Sequence, residues 1–250
     1  MDHNDAFLAE ITRRLPLLTQ QAASGTIARA ADLLADAVAA GGVIRAFGTG
    51  HSEGFAMEVA GRAGGLIPTS RMALRDVVLH GTRELSDLND PTFERDESVA
   101  EELFALHHED PADAYVIASN SGVNGSIVGV ALRAKANGHP VIAVTSMDHT
   151  TKVQPKHSSG RKLFEVADVA IDNLAPYGDA TLDLGDGIVM GAVSSITAAY
   201  IGQLLSLGVA DRLRRRGITP PVYISANIPE GDAHNAALKA RYAGRLRVDG

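Results

Sequence analysis

The chain contains no cysteine. Disulfides, thiolate metal sites and cysteine nucleophiles are therefore excluded, and a reducing compartment suits the composition. Positive charge is not in excess. The 250 residues carry 23 Lys and Arg against 30 Asp and Glu, a net charge of −7 with the two signs interleaved. Without a basic face, nucleic acid is not an expected partner. Asp2 and Asp5 stand close to Met1 with no apolar signal core, so no export signal is read and a cytoplasmic location is expected. Internal repeats and low-complexity tracts are also missing.

One stretch lacks charge of either sign. Gly187 to Ala210 has none and is followed by Arg212, Arg214, Arg215 and Arg216, the layout of a membrane span with a positive flank. Gly191, Ser194, Ser195, Thr197, Gly202, Gln203 and Ser206 dilute it heavily. A helix buried against a sheet or in a subunit interface explains it better, and no membrane association is expected.

What is present is an alternation of helix-period and strand-period segments. Residues 4–40 show helical spacing in Phe7, Leu8, Ile11 and Leu15, then in Ile27, Ala30, Ala31, Leu34 and Val38. Pro16 bends the first of these helices, and Gly41-Gly42 stops the second. Strands are expected at 43–47, 66–68, 114–118, 141–145 and 169–171. Helices are expected at 53–63, 96–107, 125–137 and 187–207, with a short strand at 222–225 and a last helix at 236–242. This predicts an α/β fold, a three-layer αβα sandwich on a five-stranded parallel sheet of flavodoxin-like or Rossmann-like order. One domain over 1–250 is expected, with N-terminal helices at 1–40, a core at 41–210 and a tail at 211–250. Residues 70–95 and 146–164 carry no clear period, and loops of that length are usually functional or mobile.

Two strand-to-helix loops carry the chemistry. After the strand ending at Ala118 comes Ser119-Asn120-Ser121-Gly122-Val123-Asn124, then a helix. A small-residue loop at a helix N-terminus presents free N–H groups and a favourable dipole to an anion. No Lys follows the glycine, so this is not the loop of nucleotide hydrolases, and hydroxyls suit a monophosphate. Such a loop alone is also what plain helix capping looks like. Gly48-Thr49-Gly50-His51-Ser52 repeats the arrangement after the first strand. In a parallel sheet both loops reach the carboxyl edge, where one phosphate can sit between them.

These loops resemble those of the SIS, or sugar isomerase, domain family: Ser119 to Asn124 is similar to its S-x-S-G-x-T phosphate loop, and Gly48 to Ser52 to its G-x-G-x-S loop. Ile142-Ala143-Val144-Thr145-Ser146 matches the family's next strand, and the resemblance runs over residues 30–210. Asn124 stands where Thr is usual and can still donate a hydrogen bond. The tail, Ser225-Ala226-Asn227 with Gly231-Asp232-Ala233-His234-Asn235, looks like a poorly characterised branch of the family. The resemblance implies a sugar-phosphate ligand, with Ser52, Ser119, Asn120, Ser121, Gly122 and Asn124 around the phosphate and Gly48, Thr49 and Gly50 beside the sugar. No cofactor and no metal is expected. His107-His108-Glu109-Asp110 has ligand types, but adjacent helical histidines diverge.

SIS enzymes remove the proton next to the C1 aldehyde of an opened sugar. Reprotonation at C1 gives a ketose; loss of a C3 group gives an unsaturated sugar. Either route needs a base and a proton donor. Glu58, on the helix after the first loop, is the first choice as base. By resemblance to the isomerase half of glucosamine-6-phosphate synthase, which has Glu, Lys and Glu on this helix, Glu58 matches the first Glu and Arg62 the Lys, while Gly65 replaces the last Glu. An exposed ion pair four residues apart is the plainer reading of Glu58 and Arg62. His51 lies inside the first loop, and His80 matches a His-Gly that assists ring opening in several SIS enzymes. His234 and Asp232 belong to a turn-rich tail, 231–235, in which Asn235 either caps the last helix or the segment folds back over the site or a partner's site. The expectation is a dehydratase or etherase-like lyase on an (N-acetyl)hexosamine 6-phosphate, with an isomerase and a non-catalytic sensor as alternatives. The apolar, small-residue run at 187–210 and the early helices further predict a homodimer or homotetramer.

Overall fold

The computed structural model describes residues 2–247. It opens on three helices, α1 (His3–Thr12), α2 (Leu15–Ser24) and α3 (Thr26–Ala39), where the sequence suggests two. Pro16 does not bend a helix but starts one, in the first turn of α2, where its missing N–H costs nothing. The chain continues with β1 (Ile44–Gly48), α4 (Glu53–Val59), β2 (Thr69–Met72), α5 (Asp76–Leu79), α6 (Val99–Leu106), β3 (Ala114–Ala118) and α7 (Gly125–Ala136). After these come β4 (Val141–Thr145), α8 (Met147–Thr150), α9 (Leu163–Val166), β5 (Val169–Asp172), β6 (Leu182–Asp183), β7 (Val189–Met190), α10 (Ser194–Arg215) and α11 (Gly231–Lys239).

Strands β1 to β5 form one parallel sheet in the order β2-β1-β3-β4-β5. Every residue of β1, β2, β3 and β4 is buried, as expected when helices cover both faces. On one face, Ile27, Leu34, Phe55, Val59, Ile201, Leu205 and Val209 from α3, α4 and α10 meet Ile44, Val116, Ile142 and Val144 of the sheet. On the other, Leu103, Phe104, Ile127, Val130 and Ala134 from α6 and α7 meet Phe47, Tyr115, Ile117 and Ala143. The order reverses between β1 and β3, and their carboxyl ends open the crevice where ligands bind in such sheets.

Three expected elements need correction, besides the helix expected at 53–63, which ends at Val59, and the strand expected at 222–225, which is only a bridge at Val222. The second strand lies at Thr69–Met72, not 66–68; Leu66 instead makes an isolated antiparallel bridge to Val222. The long helix begins at Ser194, not 187, and runs to Arg215, past the core boundary placed at 210. The residues before it form the β6–β7 hairpin, closed by Gly185, Asp186 and Gly187, all with positive φ. Moreover, α10 packs on α2, α3 and α4 of its own chain and leaves Ile196 and Leu207 exposed. Exposed apolar side chains also gather on the hairpin, at Ile188, Val189 and Met190. No described helix is long and apolar enough to cross a membrane.

The third correction concerns the tail. Its last helix starts at Gly231, so the expected turn 231–235 is helical, and Asn235 caps nothing. Its amide instead pairs with both the N–H and the carbonyl of Ile224, at 3.1 and 2.9 Å. The tail does not fold over the crevice. Tyr223, Leu238, Tyr242 and Leu246 pack on Val43 and Ile67, beside the outer strand β2. Pro221 accepts from the N–H of Ile67 at 2.7 Å and Arg247 accepts from that of Arg71 at 2.8 Å. A fully buried ion pair fastens it further: Asp113 accepts from Arg45 at 2.9 Å, from the N–H of Val43 at 2.8 Å, and from Arg245 at 2.5 Å.

Candidate functional site

A cleft of about 170 Å³ opens at the carboxyl ends of β1, β3 and β4. His51, Ser52, Gly54 and Phe55 line it from the first loop and the start of α4, Ser119 and Asn120 from the second loop, Asn173 from the end of β5, and Ser194, Ser195 and Ala198 from the start of α10. Among these lining side chains His51 is the titratable one, and no carboxylate is among them.

Each loop has a local reason for its path. A Cβ on Gly48 would stand 2.3 Å from the carbonyl oxygen of Ser52, so only glycine lets the first loop fold back this tightly. Gly122 sits at φ +62 and donates its N–H to Ser119 Oγ at 3.1 Å. The second loop thereby curls over the N-terminus of α7. Asn124 is the residue before that helix, yet its side chain makes no capping bond. The first amides of α7 are left for something else, the arrangement that binds anions.

Of the residues expected at the phosphate, Ser52, Ser119 and Asn120 line the cleft, with Ser121 and Gly122 beside them in the same loop. Asn120 also receives a hydrogen bond from Asn173 at 2.7 Å. Asn124 and Thr49 are engaged elsewhere. Asn124 Nδ2 donates to Glu94 Oε1 at 2.7 Å and Thr49 Oγ1 donates to Glu94 Oε2 at 2.8 Å. Gly50 lies next to the same carboxylate, since a Cβ there would be 3.8 Å from Glu94 Oε2.

The expected catalytic residues are spread out. His51 is exposed and faces the cleft. Glu58 lies three residues past Phe55 on α4 and does not line the cleft; its carboxylate takes a hydrogen bond from Gln203 Nε2 at 2.5 Å and pairs with Arg62. Gly65 is buried, its N–H on the carbonyl of Arg62. His80 closes α5, exposed, outside the cleft. His234 is tied to the tail, Nε2 within 3.0 Å of the carbonyl oxygen of Val222. A single chain therefore unites His51 with the two hydroxyl-bearing loops but not Glu58, His80 or His234.

Sequence reasoning did not single out Glu94, Asn173 or Asp179. Glu94 falls in the stretch with no period. Asn173 follows β5 at the same sheet edge as the loops, which is the signal that could have found it. Asp179 takes the N-terminus of α10, accepting from the N–H groups of Val193 and Ser194 at 3.2 and 3.0 Å and from Ser194 Oγ at 2.5 Å. It fixes the edge of the cleft that Ser194 and Ser195 supply.

The SIS domain family model matches residues 6–146, more than half of the chain. The chain is 37% identical over 223 residues to a UPF0309 protein of Listeria monocytogenes, covering 88% of this chain and 89% of the relative. With a UPF0309 protein of Halalkalibacterium halodurans it shares 35% identity over 224 residues, 89% of this chain and 91% of the relative. Its fold is similar to that of the phosphoheptose isomerase GmhA from Neisseria gonorrhoeae, with a TM-score of 0.50 at 22% identity over 86% of this chain and 98% of the other. Two hydroxyl-rich loops at the switch point of a β2-β1-β3-β4-β5 sheet, the matched domain and these full-length relatives agree: the chain belongs to the SIS domain family, among its UPF0309 proteins.

Proposed function

We propose that the protein is an enzyme that binds an (N-acetyl)hexosamine 6-phosphate in this cleft and removes the proton next to the C1 carbonyl. The observation that carries the reading is the cleft itself. Ser52 and Ser119 approach from two loops at the point where strand order reverses, and the second loop leads into an α7 N-terminus without a side-chain cap. Hydroxyls and amides in such a place suit a phosphate monoester. Ser121, with the backbone at Gly122, completes the phosphate cradle, and the Gly48 to Gly50 backbone borders the sugar.

Elimination is favoured over isomerisation because Gly65 offers no second carboxylate, and moving a proton from C2 to C1 asks for more help than losing a C3 group. His51 is the titratable side chain that the cleft presents directly. Glu58 serves as base once it exchanges the hydrogen bond from Gln203 for substrate, a turn of its side chain that binding would have to drive. Two other readings have their own support. The fold shared with a phosphoheptose isomerase speaks for aldose–ketose isomerisation. A cleft without a lining carboxylate speaks for a sugar-phosphate sensor.

One experiment separates them. Purified protein is incubated with a panel of hexosamine 6-phosphates and the products are weighed. Loss of one water supports the lyase, a ketose of unchanged mass the isomerase, and tight binding without turnover the sensor. For the lyase, Glu58→Gln and His51→Gln should each lower kcat about 10²-fold or more while sugar-phosphate binding survives. Turnover unchanged in both variants would remove these residues from the mechanism. Assembly as a homodimer or homotetramer belongs to the same proposal. His80 and His234 lie away from the cleft of their own chain and would act only at a partner's.

A further inference from the structure

The two loops already hold an anion. It is the side chain of Glu94, which takes Thr49 Oγ1 on one oxygen and Asn124 Nδ2 on the other. These donors come from the β1 loop and from the last position of the β3 loop, so the carboxylate bridges the switch point. Among the described residues no cation pairs with Glu94 (its only partners are neutral). The arrangement also has a cost. The other amide atom of Asn124, Oδ1, is buried without a hydrogen-bond partner among the described residues.

The backbone that delivers Glu94 is fixed. Phe93 is buried in the core and Ser126 Oγ donates to the carbonyl of Glu94 at 2.7 Å. Arg95 presses so closely on α7 that a Cβ on Gly125 would meet its carbonyl oxygen at 2.0 Å. The side chain, half-buried, is the part left free to swing.

We infer that Glu94 sets the affinity of the cleft for phosphate: its carboxylate occupies Thr49 and Asn124, and a phosphate group must displace it to gain their hydrogen bonds. This rests on the reading of the cleft as a sugar-phosphate site. Inorganic phosphate, with no sugar to add contacts of its own, is held at weak affinity by this competition. A phosphosugar carries the same penalty and offsets it through the rest of the cleft.

The test is calorimetric titration of inorganic phosphate and of glucose 6-phosphate into the wild-type chain, E94Q and E94D. E94Q removes the charge and keeps the shape. E94D keeps the charge and shortens the reach, which serves if E94Q folds poorly. Both ligands should bind E94Q about tenfold tighter or more, by the same factor, because both displace the same group. E94D should fall between E94Q and wild type. Affinity unchanged or weakened in E94Q overturns the inference, as does a gain confined to glucose 6-phosphate, which would place Glu94 on the sugar. No binding of either ligand by any of the three chains overturns the phosphate reading and the inference together.

Discussion

Ser119 and Ser121 stand two residues apart and do different work. Ser119 Oγ accepts the N–H of Gly122 and shapes the loop, so its replacement disturbs the backbone as well as any ligand. Ser121 is half-buried and is the cleaner probe. Ser121→Ala should weaken a hexosamine 6-phosphate by about 1.5–3 kcal/mol and leave the unphosphorylated sugar unaffected, as read by titration. Equal loss for both would place Ser121 outside the phosphate cradle. His107 gives a prediction about pH. Burial, and then the charges of Arg45 and Arg247, push its imidazole down to about 3. Unfolded histidine titrates near 6.5, so below that value the unfolded chain binds a proton that the folded chain refuses. Stability should therefore fall as pH drops from about 6.5 toward 3, and His107→Leu should reduce the slope by up to one proton in urea titrations at several pH values. Legibility was uneven at this scale. Hydroxyls and glycines in a strand-to-helix loop announce themselves by type and spacing, and Ser52, Ser119 and Asn120 do line the cleft. The partner of Asn124 could not be read, because Glu94 is brought from 30 residues away by an aperiodic segment.

Strands β3 and β4 fall where the apolar runs place them, because a strand covered on both faces must be apolar throughout. The start of α10 was misplaced for the same reason in reverse. An uncharged run does not say whether it is strand or helix, and Gly185-Asp186-Gly187, a turn signal, turns the chain back into a hairpin. The outer strand β2 was displaced because Thr69-Ser70-Arg71-Met72 has no apolar pattern. Its burial is completed by the tail, which single-sequence periodicity cannot see. One carboxylate links three of these elements. Asp113 leads into β3, receives Val43 before β1, and holds Arg45 of β1 and Arg245 of the tail. Asp113→Ala leaves a fully buried guanidinium without its counter-ion and should cost about 3–5 kcal/mol, measured by urea unfolding. A loss under about 1 kcal/mol would show that Arg45 finds other partners.

At the scale of the whole molecule, apolar surface is left on the β6–β7 hairpin, which leads through Gly191 into the cleft-lining start of α10. A hairpin with strands this short is marginal alone, and a second copy of the chain would bury it. Ile188→Asp with Met190→Asp should shift light scattering from dimer toward monomer; a wild-type chain that scatters as an active monomer at every dilution would end that expectation. The tail has a different consequence. Strand β2 is the outermost of its side, and an outermost strand exposes a row of unpaired backbone groups that can template growth from another chain. Here Arg247 takes up the N–H of Arg71 within the strand, and Pro221 and Val222 pair with Ile67 and Leu66 just before it. Residues 221–247 act as a selvedge, the finished border that keeps a woven sheet from unravelling into its neighbours. A chain cut after Gly217 should then form thioflavin-positive aggregates on refolding, where the intact chain refolds clear; a truncated chain that stays soluble would place the protection elsewhere.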